Sequence, residues 1–215
     1  LDANTTADNN TAIGYQALGD NTTGTSNTSL GSFALLRNTT ASNNTAVGKD
    51  ALLLNTTGTQ NTAVGAEALD ACTTGDVNTA IGYQSLTTCT TGAGNCGSGR
   101  ETLRDLTTGS NNTGMGRSAG EQLTTGSNNL LLGRDAGRGS SPSGALTNES
   151  NIICLGDNNI TSFYAKISTI QTSDIRDKTD VTDFKHGLSW VTKLRPVTYR
   201  WDMRSNYKDG VPDGS

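Results

Sequence analysis

Three arginines, Arg100, Arg117 and Arg134, stand 17 residues apart. If each 17-residue unit occupies an equivalent place in a repeated structure, the three charges stack into one column. Stacked guanidinium groups hold carboxylates and sulfates through charge-assisted hydrogen bonds, so one reading of the column is a groove for anionic glycans. Glu101 and Asp135 stand beside it and offer the other reading, in which they neutralise it. Tyr15 and Tyr83 hold the same place in other units. Their rings could stack on sugars, although an exposed tyrosine on a rod is also ordinary.

The remaining chemistry-bearing residues point away from cofactors and metals. Cys72 and Cys89 are also 17 apart, which places their backbones about 4.8 Å apart in stacked strands, within reach of a disulfide. Parallel side chains meet the dihedral requirement poorly, so a bond and a ladder of packed reduced thiols both stay open. Cys96 and Cys154 have no evident partner, and His186 is the single histidine; with no C-x-x-C pair, a zinc site is not expected. Gly92-Ala-Gly-Asn-Cys-Gly97 fits G-x-G-x-x-G but has no βαβ setting, so it reads as repeat punctuation. No cofactor is expected.

The elements that position these residues are visible as columns. Asn recurs at 10, 27, 44, 61, 78, 95, 112 and 129, and Gly follows four places later in every unit. With Asn as place 1, place 4 is apolar in seven of eight units (Ile13, Leu30, Val47, Val64, Ile81, Met115, Leu132, with Ser98 the exception). Place 9 is Leu from Leu18 to Leu103, then Gly120 and Gly137; place 8 is small throughout. Thr-Thr-Gly closes most units, and there Gly is expected to supply positive φ while Asn and Thr bond nearby backbone. Such a short fixed period predicts a β-solenoid, an all-β roll of 17-residue coils. Each coil has a perimeter of about 56 Å before turns shorten it, and eight coils stacked about 4.8 Å apart make a rod on the order of 40 Å long. Places 4 and 9 are expected to be its two interior anchors.

Composition agrees with a thin interior. Hydrophobic residues are 32% and aromatics 5% of the chain, too little for a thick globular core, and a narrow coil gains by burying a flank against copies of itself. The formal charge of −4 argues against nucleic-acid binding. No run of about 18 apolar residues exists, so no membrane insertion is expected. The ends, Leu1 and Ser215, are read as fragment or processing boundaries.

The expected division is a lead-in over 1–9, the solenoid over 10–159, a connecting strand over 160–172 and a distinct module over 173–215. A loop insertion at about 138–150 interrupts the period, after which Asn151 is expected to start a last coil. Lys, Arg and aromatic residues concentrate after residue 160, and the last module is expected to be a short α+β segment.

Coils such as Asn10-Thr-Ala-Ile-Gly-Tyr-Gln-Ala-Leu18 resemble repeats of tail-fibre proteins of aquatic bacteriophages. They are also similar, at another period, to the head repeats of trimeric autotransporter adhesins. Thr172-Ser-Asp-Ile-Arg-Asp-Lys178 and Leu194-Arg-Pro-Val-Thr-Tyr-Arg-Trp201 resemble the start of the intramolecular chaperone of phage tail fibres and tailspikes, the peptidase S74 family. The family domain runs well past this point, so the segment reads as truncated. The resemblance implies a homotrimer assembled by a C-terminal chaperone that cuts itself off, with Ser173 as nucleophile and Lys178 as its base. It implies a structural and adhesive part of a virion tail fibre, extracellular, contacting a host-surface glycan or protein. A bacterial trimeric surface adhesin is the alternative. No carboxylate pair stands out from the repeat, so glycan cleavage is not expected.

Overall fold

The computed structural model describes residues 2–162, Tyr164, and the pairs 207–208 and 211–212. Two units divide the chain, Leu1–Tyr164 and Ala165–Ser215.

The first unit is a β-solenoid. Its strands are β1 (Thr11–Ile13), β2 (Thr28–Leu30), β3 (Thr45–Val47), β4 (Thr62–Val64), β5 (Thr79–Ile81), β6 (Cys96–Ser98), β7 (Thr113–Met115), β8 (Leu130–Leu132) and β9 (Ile153–Leu155). They form one nine-stranded sheet in chain order. Every neighbouring pair is parallel and in register, so Thr11 faces Thr28 and Val64 faces Ile81. No helix occurs among the described residues.

Alternation along these short strands decides the core. Place 3 points inward: Ala46, Ala63, Ala80 and Leu131 are fully buried. Place 9 supplies the second wall, with Leu18, Leu35, Leu52, Leu69, Leu86 and Leu103 fully buried behind Ala34, Ala51 and Ala68 of place 8. Place 4, expected as an interior anchor, instead lies on the outer face. Ile13, Leu30, Val64, Ile81 and Met115 are exposed. In a pleated strand neighbours point to opposite faces, and only the small residues of place 3 fit so narrow an interior.

Core volume is conserved coil by coil. Where place 8 enlarges to Ser85 and Thr102, place 3 of the next strand shrinks to Gly97 and Gly114; a Cβ there would lie 2.6 Å from Ser85 Oγ and Thr102 Cγ2. Where place 9 becomes Gly120 and Gly137, place 3 grows to Leu131. Close packing makes such exchanges necessary.

The rest of the interior is polar and bonded. Asn27 Oδ1 accepts from the backbone N–H of Asn44 at 3.0 Å, while Asn27 Nδ2 donates to the Ala41 carbonyl at 2.9 Å. Asn44, Asn61, Asn78, Asn95 and Asn112 repeat the same two bonds. A second interior column at place 12 begins Asn21, Asn38, Asn55, passes through Cys72 and Cys89, and ends in Leu106 and Leu123. Asn38 Nδ2 donates to Asn21 Oδ1 at 2.7 Å, and Asn55 to Asn38 at 3.1 Å. Asn55 Oδ1 has no partner because the next member, Cys72, sends its thiol to the Gly75 carbonyl.

Turning the chain requires left-handed backbone at places 5, 7, 9 and 17. Glycine serves at place 5, but Leu18 (φ 52°), Phe33 (φ 61°) and Val77 (φ 59°) adopt it without glycine's freedom. Each such residue costs about 1–2 kcal/mol locally, offset by coil-to-coil hydrogen bonds and burial. The glycine of Thr-Thr-Gly has a different role from the expected one: Gly58, Gly75 and Gly92 are absent from the left-handed set. They sit where a Cβ would run into the backbone carbonyl of the next coil. Ala41 nevertheless occupies this column.

The lead-in and the last coil differ from expectation. Residues 3–9 already carry the repeat, with Thr5 N–H donating to the Thr22 carbonyl at 3.2 Å and Ala3 N–H to the Gly19 carbonyl at 3.2 Å. The last coil is offset by 23 residues, so Ile152, not Asn151, holds place 1. Asn151 holds place 17, left-handed at φ 65°, with its Oδ1 bonded by Asn128 Nδ2 at 2.8 Å. Residues 160–162 and Tyr164 form no strand, and the rest of the expected connecting strand lies outside the described residues. In the second unit, β10 (Tyr207–Lys208) pairs antiparallel with β11 (Val211–Pro212); the helical part of the expected α+β segment falls outside the described residues.

Candidate functional site

Place 6 projects from the turn after each strand, so Tyr15, Tyr83, Arg100, Arg117 and Arg134 all lie on one outward column. Tyr83 is one coil from Arg100, and the arginines continue through the next two coils. Carboxylates accompany each guanidinium: Arg100 meets Glu101 at 2.7 Å, Arg117 meets Asp135 at 3.7 Å, and Arg134 meets Asp135 at 3.3 Å and Asp157 at 2.6 Å. The hydrogen bond to Asp157 raises the Arg134 pKa, and the same bond, aided by Asn159, holds Asp157 below the usual carboxylate value. The column is thus charge-compensated while its arginine side chains stay at least half exposed.

This compensation belongs to a larger network that the sequence reading missed. Arg104 bonds Asp105 at 2.8 Å and Glu121 at 2.5 Å, Glu121 meets Arg138 at 3.1 Å, and Arg138 meets Asp135 at 2.9 Å. Side chains of Glu121, Asp135 and Asp157 are nearly covered. The network begins in the last coil with leucine at place 9, that of Leu103, and continues through the coils of Gly120 and Gly137. Its signal in the sequence was the run of alternating charge Arg104, Glu121 and Arg138 at place 10 of successive coils.

All four cysteines are free, which settles the Cys72–Cys89 alternative for thiols. Each donates to the carbonyl three residues on, Gly75 and Gly92, at 3.6 Å. Burial pushes the Cys72 thiol up to about 12 and Cys89 up to about 11, so neither supplies thiolate at neutral pH. Within the glycine-rich run 92–97 the four amides of residues 93–96 are already bonded. Ala93 N–H bonds Ser110 Oγ, Gly94 N–H the Asp76 carbonyl, Asn95 N–H Asn78 Oδ1, and Cys96 N–H the Asn112 carbonyl.

A further surface feature breaks the repeat. Tyr15 and Phe33 pack edge to face, centroids 5.2 Å apart and planes at 84°. Phe33 also lines a shallow cavity of about 350 Å³ with Leu36, Arg37, Lys49, Asp50, Leu53 and Leu54. Arg37 pairs with Asp20 at 3.1 Å, and Lys49 pairs with Asp50.

Ser173 and Lys178 lie outside the described residues. Residues 173–213 match the family described as the chaperone of endosialidase, peptidase S74. No curated protein and no solved structure matches the chain. A solenoid of 17-residue coils followed by a segment similar to this chaperone is the arrangement to be explained.

Proposed function

We propose that the chain is the distal part of a phage tail fibre, a trimeric β-solenoid rod followed by the start of a self-cleaving chaperone. The observation that carries this reading is the outer sheet face of the solenoid, in a chain that continues into a chaperone-like segment. Places 2 to 5 hold no charged residue in any coil, and place 4 exposes Ile13, Leu30, Val64, Ile81, Met115 and Leu155 in one ladder. Exposed apolar stripes of this length mark interaction surfaces. A sister chain carries the same ladder at the same spacing, so equivalent coils can pack side by side in register; the threefold number follows from the family resemblance.

Within this reading the rod is mechanical and adhesive. It projects from the virion, outside the cell, and touches a host-surface glycan or protein through outward columns such as Tyr83-Arg100-Arg117-Arg134. Ser173 attacks the carbonyl of the peptide bond beside it while Lys178 takes the hydroxyl proton. Lys178 returns that proton to the departing amine as the C–N bond breaks, leaving an ester that water cleaves. This activation is open to a lysine whose pKa is lowered by desolvation.

Sedimentation equilibrium of the 215-residue chain tests assembly: three times 22.3 kDa is expected, Val64→Lys with Ile81→Lys should shift it toward monomer, and a wild-type monomer defeats the reading. For processing, wild type and Ser173→Ala are compared by mass with the chaperone extended to the family's length. Identical masses remove the proteolytic role.

A further inference from the structure

A solenoid constrains its inward places tightly and its outward places hardly at all. Apolar residues clustered at outward places therefore need a reason other than folding. At place 7 the chain carries Gln16, Asp50, Glu67, Gln84, Glu101, Ser118 and Asp135, but Phe33 in the second coil. Leucine stands at place 10 only as Leu36 and Leu53, and at place 11 only as Leu54. These departures adjoin one another on neighbouring coils and line the cavity of about 350 Å³. Gly19 at place 10 of the first coil makes room: a Cβ there would lie 2.9 Å from Leu36 Cδ1. Tyr15, 66% exposed, extends the apolar surface through its edge contact with Phe33.

We propose that these coils carry a binding site for a neutral saccharide ring, which stacks on the exposed Tyr15 ring while Phe33, set perpendicular to it, forms the adjoining wall. Aromatic faces are electronegative, and the C–H face of a pyranose is the complementary surface. The leucines exclude water beside it. Around the rim the ion pairs Asp20–Arg37 and Lys49–Asp50 present carboxylate acceptors and cationic donors together. Sugar hydroxyls both donate and accept, so they can join these pairs without breaking them.

The rim also selects against other occupants. Its two acids and two bases leave no net charge, so a charged ligand gains no net attraction over a neutral one. A protein partner laid flat here would have to desolvate both ion pairs, which is costly. Tyr15 shares place 6 with the arginines but stands five coils from Arg100, so the site is separate from them, and it rests on the adhesive reading of the rod.

Saturation-transfer NMR on the intact chain tests the site, with methyl glucoside, methyl galactoside, methyl mannoside and N-acetylglucosamine as probes at high millimolar concentration and sialic acid for comparison. At least one neutral sugar should bind and sialic acid should not. Tyr15→Ala, at an exposed position that does not support the core, should weaken binding about tenfold, and Phe33→Ala likewise. Thr125→Ala, at an exposed position outside both sites, should leave it unchanged. No transfer to any neutral sugar, or binding indifferent to Tyr15→Ala, overturns the proposal, as does occupancy by the apolar dye anilinonaphthalene sulfonate alone. If host attachment depends on Arg117 but not on Tyr15, the adhesive reading stands and this site falls.

Discussion

Leu131 occupies the space that Gly120 leaves open: a Cβ on Gly120 would lie 2.5 Å from Leu131 Cδ1. The large side chain has moved from one wall of the coil to the other, with the enclosed volume preserved. Gly120 also keeps the left-handed backbone of its column, φ 64° against 51° for Leu103, so leucine is conformationally admissible there.

Gly120→Leu alone should therefore destabilise the rod by overpacking, by about 2–3 kcal/mol. Adding Leu131→Ala should recover most of that loss, because it rebuilds the arrangement of the earlier coils. Urea unfolding of the two singles and the double decides the matter. A double mutant no better than the sum of its singles would show that the two positions do not share one space.

Asn78 supports two interior groups. Its Oδ1 accepts the Asn95 N–H at 2.9 Å, and its Nδ2 donates to the Gly92 carbonyl at 2.8 Å. Asn78→Ala leaves the Asn95 N–H buried and unpaired and the Gly92 carbonyl with only the weak Cys89 thiol bond, a loss of about 2 kcal/mol. Asn128→Ala, at an exposed position, should cost less than about 1 kcal/mol. Equal effects in thermal unfolding would remove the interior Asn ladder as a source of stability.

The buried thiols predict an alkaline limit. Cys72 and Cys89 ionise near 9.0 when exposed in the unfolded chain, but at about 12 and about 11 when folded. Between pH 9 and these values the unfolded state loses protons that the folded state keeps, so stability falls as pH rises. Cys72→Ala with Cys89→Ala should flatten the fall, measured as urea midpoints from pH 8 to pH 11. In native buffer Ellman's reagent should reach half-buried Cys96 well before Cys72 or Cys89.

Acid acts at the other end. Asp157 titrates below its ordinary 3.8 because Arg134 and Asn159 bond its carboxylate. Its contribution is complete above the ordinary value and is lost as pH falls through the lowered one. Urea midpoints measured downward from pH 6 should therefore decline more steeply in wild type than in Asp157→Asn. Parallel curves would assign the acid sensitivity elsewhere.

Much of the architecture was legible because equivalent places repeat the same residue type. The Asn column, the buried leucines of place 9 and the small place 8 needed only counting. Place 4 misled because its Ile, Val and Leu residues look like core, whereas strand alternation gives the interior to the plain Ala and Gly of place 3. The left-handed turns were hidden, since Leu18, Phe33 and Val77 carry no signature of that backbone. The last coil slipped by one residue because Asn151 was matched to the wrong Asn column; aligning Gly156 with Gly133 would have found Ile152. In the candidate site, the arginine column was visible, but Asp157 stands 23 residues after Arg134 and so fell outside the 17-residue step, whereas Arg104, Glu121 and Arg138 keep that step.

The perfect 17-residue step has a consequence for how this protein can change over time. Nearly identical stretches such as Asn10–Leu18 and Asn78–Leu86 invite unequal exchange at the level of the coding sequence. Loss or gain of a whole unit keeps the backbone ladders in register and alters reach by about 4.8 Å. Any other length of insertion has to be extruded, as the extra residues between Gly137 and Leu146 are. The rod is therefore a ruler with fixed graduations, free to lengthen or shorten without relearning how to fold.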